Sequence, residues 1–151
     1  MANSVSEVLL TTARLERAAE TVATTEEDVD LAAGAIIDFW GVVREMEAGR
    51  EIEGIDYEAH EAMARHQLKL IADAATTKFE LKRVLLQHRI GFVSAGEPSL
   101  FLRVSAQHRG GAFDASKWIV DELKQKVPIW KKPRFKIDNQ RRISSAELAS
   151  T

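Results

Sequence analysis

Cysteine is absent from this sequence, which removes disulfides, Cys-ligated zinc and a thiol nucleophile together. Long apolar runs are also missing: none approaches the ~20 residues that a bilayer-spanning helix requires. The first ten residues, MANSVSEVLL, contain neither a basic region nor a cleavable apolar segment, so the expectation is a cytoplasmic protein. Aromatic residues make up only 7% of the chain and fall mostly in apolar patterns, which argues against a sheet that stacks RNA bases. What is present is 45% hydrophobic residues in 151 positions, enough for one sizeable core. We expect a single domain over residues 1–137 and a polar tail over 138–151 that frays.

The net charge of -2 conceals an asymmetry. Residues 1–60 hold 14 acids and 4 bases, whereas residues 61–151 hold 9 acids and 17 bases. Bases are concentrated from Lys117 to Arg142. A local basic patch on a near-neutral chain suits a small anion or an acidic protein surface better than general nucleic-acid binding, which needs a wider basic footprint.

Periodicity predicts a mixed fold. SEVLLTT reads as a first strand, and Leu15, Ala18, Ala19 and Val22 fall at helical spacing. GAIIDFWGVVR is β-rich, EMEAGRE after it reads as a mobile loop, and IEGIDYEA returns as a strand. In that strand Ile55 and Tyr57 share one face, with Asp56 and Glu58 on the other. The clearest helix is EAMARHQLKLIADAATTKF, in which Ala64, Leu68, Ile71 and Ala75 form one apolar stripe. LKRVLLQHRIG and PSLFLRVSAQHR read as strands around a short extended FVSAGE piece. The second of them alternates as a half-buried strand should. GGAFDASKWIVDELKQKV is a second long helix, stopped by Pro128. Strands and helices without regular βαβ alternation predict the α+β class.

Few residues announce chemistry. HEAMARH resembles a zincin helix, but His60 and His66 are six positions apart, roughly 240° around the helix, where a shared metal needs four; no metal site is expected. Gly110 and Gly111 precede a helix, and backbone N–H groups at a helix start favour an anion. His108 and Arg109 stand beside them, a proton donor and a planar fork for phosphate oxygens. His88 and Arg89 form a second such pair at a strand end, where neighbours point to opposite faces; His88 reads as structural and Arg89 stays open. Arg44 closes an apolar strand. Lys124 lies near a helix C-terminus, where a cation is favoured anyway. Lys131 follows seven residues later, and Pro128 and Trp130 between them can fix the chain so that the two amines converge. Converging lysines can act as nucleophile or proton carrier; an exposed basic segment is the alternative.

Four motifs then assemble in order. GAIIDFWGVVR resembles G-A-x-x-x-F-x-G-x-V-R, and YEAHEAMA resembles Y-E-A-x-x-x-M-A. HRIGFVSAGEPSLFLRVSAQHRGGAFDA is similar to an H-R-x-G, G-E-x-S, H-R-x-x-A-F series. ELKQKVPIWKKP is similar to L-K-x-x-x-P-I-W-K-K. Together, from Gly34 to Lys132, they resemble the large, catalytic subunit family of molybdopterin synthase.

That resemblance implies an α/β-hammerhead fold with additional antiparallel strands and a central homodimer within a heterotetramer. It implies a partner: a small ubiquitin-like subunit whose C-terminal Gly-Gly carries a thiocarboxylate. The substrate it implies is cyclic pyranopterin monophosphate (precursor Z), with two sulfur transfers, no cofactor and no metal. Residue by residue, it places the catalytic pair at Lys124 and Lys131. It places substrate binding at Arg44, His108 and Arg109, with Lys132 in support and Arg44 open to either subunit. Where many members carry an acidic residue after the two lysines, this chain has Pro133. A scaffold that only binds a ubiquitin-like tail is the competing expectation.

Overall fold

The computed structural model describes residues 5–15 and 31–137. The helix expected around Ala18, Ala19 and Val22, and the tail from Asp138, lie outside the described residues. Strand β1 (Val5–Thr11) and strand β2 (Ala35–Val42) are followed by a two-residue strand β3 (Met46–Glu47) and by β4 (Arg50–Ala59). Helix α1 (Glu61–Lys78) leads to β5 (Leu81–Arg89), β6 (Gly91–Ser94) and β7 (Pro98–Ala106). Helix α2 (Arg109–Lys126) and strand β8 (Ile129–Phe135) close the described chain.

Helix α1 forms where the apolar stripe predicts it. Ala64, Leu68, Ile71, Ala72 and Ala75 are all buried, and their small and branched side chains let the helix lie close on a sheet. The Nδ1 atom of His60 accepts from the Met63 N–H at 3.3 Å, satisfying one of the helix's free amide donors. His60 is therefore a cap. Among the described residues, no three His, Asp or Glu side chains gather to hold a metal ion. Helix α2 begins at Arg109 with His108 as its N-cap residue, so Gly110 and Gly111 lie inside its first turn.

The strands form two sheets. The first runs β1-β5-β7-β2, with β1 parallel to β5 and the other pairs antiparallel. Both helices contribute to its core, which includes Leu68, Val84, Leu86, Leu102, Val104, Ala112 and Ile119. The second sheet is built on β4, which pairs with β3, β6 and β8. It holds a smaller core of Val43, Ile52, Ile55, Tyr57 and Val93. Ile129 packs against both cores.

Three expectations are corrected. EMEAGRE is not a loose loop but a hairpin between β3 and β4, with Glu47 opposite Arg50. Its two turn residues, Ala48 and Gly49, have φ of 52° and 74°, the left-handed pair that matches strand twist in a tight hairpin. Strand β7 is not half-buried. It is central in its sheet, and eight of its nine residues are buried, with Arg103 alone partly exposed. Phe101, on the side away from the Leu stripe, lies 4.4 Å from the Trp40 ring. Trp130, expected to pin its segment by packing, is 55% exposed. Antiparallel pairing of β8 with β4 fixes that segment instead, setting Tyr57 opposite Lys131 and Asp56 opposite Lys132. Pro133 sits in the same strand opposite Ile55; β8 pairs with β4 alone, a position that tolerates a residue without an N–H.

Candidate anion pocket

A pocket of about 570 Å³ opens where the two cores meet. Ile55 and Tyr57 reach it from the smaller core, and Leu100, Leu123 and Val127 from the larger. Three cationic residues line it: Arg44, Lys124 and Lys131. Arg44 follows Val43, whose N–H donates to the Glu97 carbonyl at 3.0 Å while its own carbonyl accepts from Gly96 at 2.7 Å. The backbone before the guanidinium is thus anchored on both sides. Lys124 occupies the last turn of α2, next to buried Leu123. Lys131 stands on β8 across from Tyr57. Arg44, Lys124 and Lys131 thus line one pocket within the described chain.

The carboxylate among the lining residues is Glu47, 3.6 Å from Arg44. Beneath the cations lie Tyr57, His88 and Ser99. The Tyr57 hydroxyl donates to Ser99 Oγ at 3.1 Å. Burial pushes the Tyr57 phenol above its usual range, with the Glu47 charge adding to the effect, so it stays protonated. Burial, aided by the Lys131 charge and opposed by the hydrogen bond to the Arg89 carbonyl, pushes the His88 imidazole down to about 4. Its ring is edge-on to Tyr57 at 5.3 Å.

The depressed imidazole has a consequence for stability. Unfolded, His88 titrates near 6.5; folded, near 4. Between those values the unfolded chain binds the extra proton, so this contribution is full above pH 6.5 and is lost as pH falls toward 4. Urea unfolding of the wild type is expected to show that decline, and His88→Gln to flatten it.

The other residues singled out in the sequence lie elsewhere. His108 and Arg109 are exposed at the start of α2, and the 15 residues from Arg109 to Lys124 rise about 22 Å along the helix. Within one chain they do not reach this pocket. Lys132 points away from Lys131, as alternation along a strand requires. It pairs with Glu58 at 3.0 Å on the outer face, beside the Arg134–Asp56 pair at 2.9 Å. Arg89 turns from His88 to meet Glu97 at 2.6 Å. Tyr57, Ser99, Glu47 and the pocket role of His88 are what sequence reasoning missed. The available signal was the shared face of Ile55 and Tyr57, which needed the β4–β8 register to become a site.

The chain is thus α+β, with two cores and a pocket at their junction lined by Arg44, Lys124 and Lys131 together with neutral polar groups. Residues 10–126 match the family model described as MoaE protein, and the chain belongs to that family. It is 47% identical over 103 residues to the molybdopterin synthase catalytic subunit of Oryza sativa subsp. indica, covering 68% of this chain and 53% of that relative. The chain thus spans about half the length of that relative. The crystal structure of molybdopterin synthase from Staphylococcus aureus superposes with a TM-score of 0.75 at 28% identity, covering 85% of this chain and 91% of that one. A complex of subunits 1 and 2 of molybdopterin-converting factor from Helicobacter pylori shares the fold, with a TM-score of 0.64 at 21% identity over 89% of this chain and 91% of that one. Among the described residues, no helix is long and apolar enough to cross a membrane.

Proposed function

We propose that this chain acts as the large subunit of a molybdopterin synthase. It takes sulfur from the thiocarboxylated C-terminus of a small ubiquitin-like subunit and delivers it to cyclic pyranopterin monophosphate. The observation that carries this reading is the convergence of Arg44, Lys124 and Lys131 on one pocket in a chain with no thiol of its own. Sulfur handled here must arrive on a partner, and both a thiocarboxylate and a cyclic phosphate are anions that such a pocket attracts. Lys131 stabilises the charge that develops as sulfur attacks and as the cyclic phosphate opens, Lys124 sits beside the incoming acyl tail, and Arg44 holds the anionic substrate. Two rounds install the dithiolene.

His108 and Arg109 fit this scheme in a homodimer, where a second copy brings its α2 start to the pocket. That helix start has no acidic residue in its first turn, leaving its positive end free for phosphate. The test is reconstitution. The wild-type protein, the thiocarboxylated small subunit and the cyclic pterin are expected to yield dithiolene product, and a scaffold would yield none. Lys131→Ala and Arg109→Ala dimers, each impaired alone, are expected to recover about a quarter of wild-type activity when mixed and re-associated, because each mixed two-fold dimer regains one intact site. No recovery would place both residues in one chain's site and defeat the shared arrangement.

A further inference from the structure

The pocket floor contains a group that the proposed sulfur transfer leaves without a task. His88 is 5% exposed and lies 2.7 Å through Nδ1 from the Arg89 carbonyl oxygen. A carbonyl oxygen only accepts, so Nδ1 carries the hydrogen and Nε2 keeps its lone pair. Tyr57 stands edge-on to the ring and is also the cross-strand partner of Lys131. One aromatic side chain therefore ties the imidazole to the strand that carries the lysine. The Tyr57 hydroxyl is spent on Ser99, and Glu47 lies within ion-pair distance of Arg44. His88 and Lys131 line the same pocket, and facing an ammonium with donors only, the imidazole Nε2 is an uncharged nitrogen acceptor that needs no hydroxyl to turn.

We propose that His88 is a positioning residue for Lys131: its Nε2 accepts a hydrogen bond from the Lys131 ammonium and aims that amine into the pocket. A neutral acceptor does what a carboxylate there would not. It fixes the direction of the amine without cancelling the positive charge that an anionic ligand needs. The charged and titratable groups that line the pocket with this imidazole are Lys131 from β8, Lys124 from α2, Arg44 after β2, Glu47 from β3 and Tyr57 from β4. Lys131 opposes its protonation, and burial does so most strongly.

The kinetic arm of the test rests on the sulfur-transfer reading; the spectroscopic arm does not. His88→Phe keeps the ring shape and removes the acceptor, and is expected to lower kcat for product formation by ~10–100-fold with KM within ~3-fold, the penalty of a mispositioned amine. His88→Gln, whose side-chain oxygen can accept, is expected to return kcat to within ~5-fold of wild type. No loss in His88→Phe, or equal losses in both variants, overturns the proposal. In the ligand-free wild-type protein, nitrogen NMR is expected to find a neutral imidazole with hydrogen on Nδ1 and a titration midpoint near 4 that moves upward in Lys131→Ala. Hydrogen on Nε2, or a midpoint indifferent to Lys131, overturns it even if His88→Phe does not fold. Should the wild type form no dithiolene product, the sulfur-transfer reading fails, and the spectra still decide the His88–Lys131 contact.

Discussion

Lys131→Ala is expected to reduce dithiolene formation by roughly 10²–10³-fold, the loss that follows removal of one positioned charge from a reacting centre. Its melting temperature is expected to stay within about 2 °C of wild type, because Lys131 is exposed and substitutions of exposed side chains change stability by about 0.5 kcal/mol or less. The adjacent lysine supplies the control. Lys132 pairs with Glu58 on the outer face of β8, where an exposed ion pair is worth about 0–1 kcal/mol, so Lys132→Ala is expected to leave turnover within about 3-fold. Two neighbouring ammonium groups thus differ in consequence because a strand sends alternate side chains to opposite faces. Turnover assays on both variants, with melting curves, check this; equal behaviour would contradict the assignment of the pocket face.

Gly54→Ala is expected to be the most damaging small substitution in the second sheet. A Cβ at position 54 would stand 2.2 Å from the Val93 carbonyl oxygen and 2.7 Å from the Phe92 ring. The first of these is backbone, paired with β4 through the Gly54–Ser94 and Ile55–Val93 register, and cannot step aside as a side chain can. The Phe92 ring in turn lies 3.9 Å beneath the Arg134 guanidinium, so moving it disturbs the outer ion pairs as well. Overpacking of this kind costs about 3 kcal/mol, or roughly 10 °C in a domain of this size. Denaturant unfolding measures it directly. Because β4 carries Tyr57 and pairs with the strand of Lys131, the variant is also expected to lose activity before it loses its fold.

Local physics is legible in this sequence and long-range pairing is not. The stripe Ala64, Leu68, Ile71, Ala75 predicts α1 because helical period and burial agree at every position. The face shared by Ile55 and Tyr57 follows from alternation alone, and both are buried. Alternation fails for β7, since a central strand with Trp40 above Phe101 is apolar on both sides. The β3–β4 hairpin hides in a charged segment because its turn depends on the backbone sign at Ala48 and Gly49 rather than on composition. For the site, Lys124 and Lys131 are close enough in sequence to suggest convergence. Tyr57 and Lys131 are 74 positions apart and meet only through the β4–β8 register. The separation of Arg109 from Lys124, by contrast, is available from helix rise alone.

The pocket's place at the junction of two cores gives its charges a further property. Arg44, Lys124 and Lys131 are held on three different segments, and like charges brought together repel. An anion bound among the three would tie together segments on both sides of the joint that Ile129 bridges. Under the proposed function that anion is the substrate, so its binding is expected to make the joint between the two cores harder to pull apart.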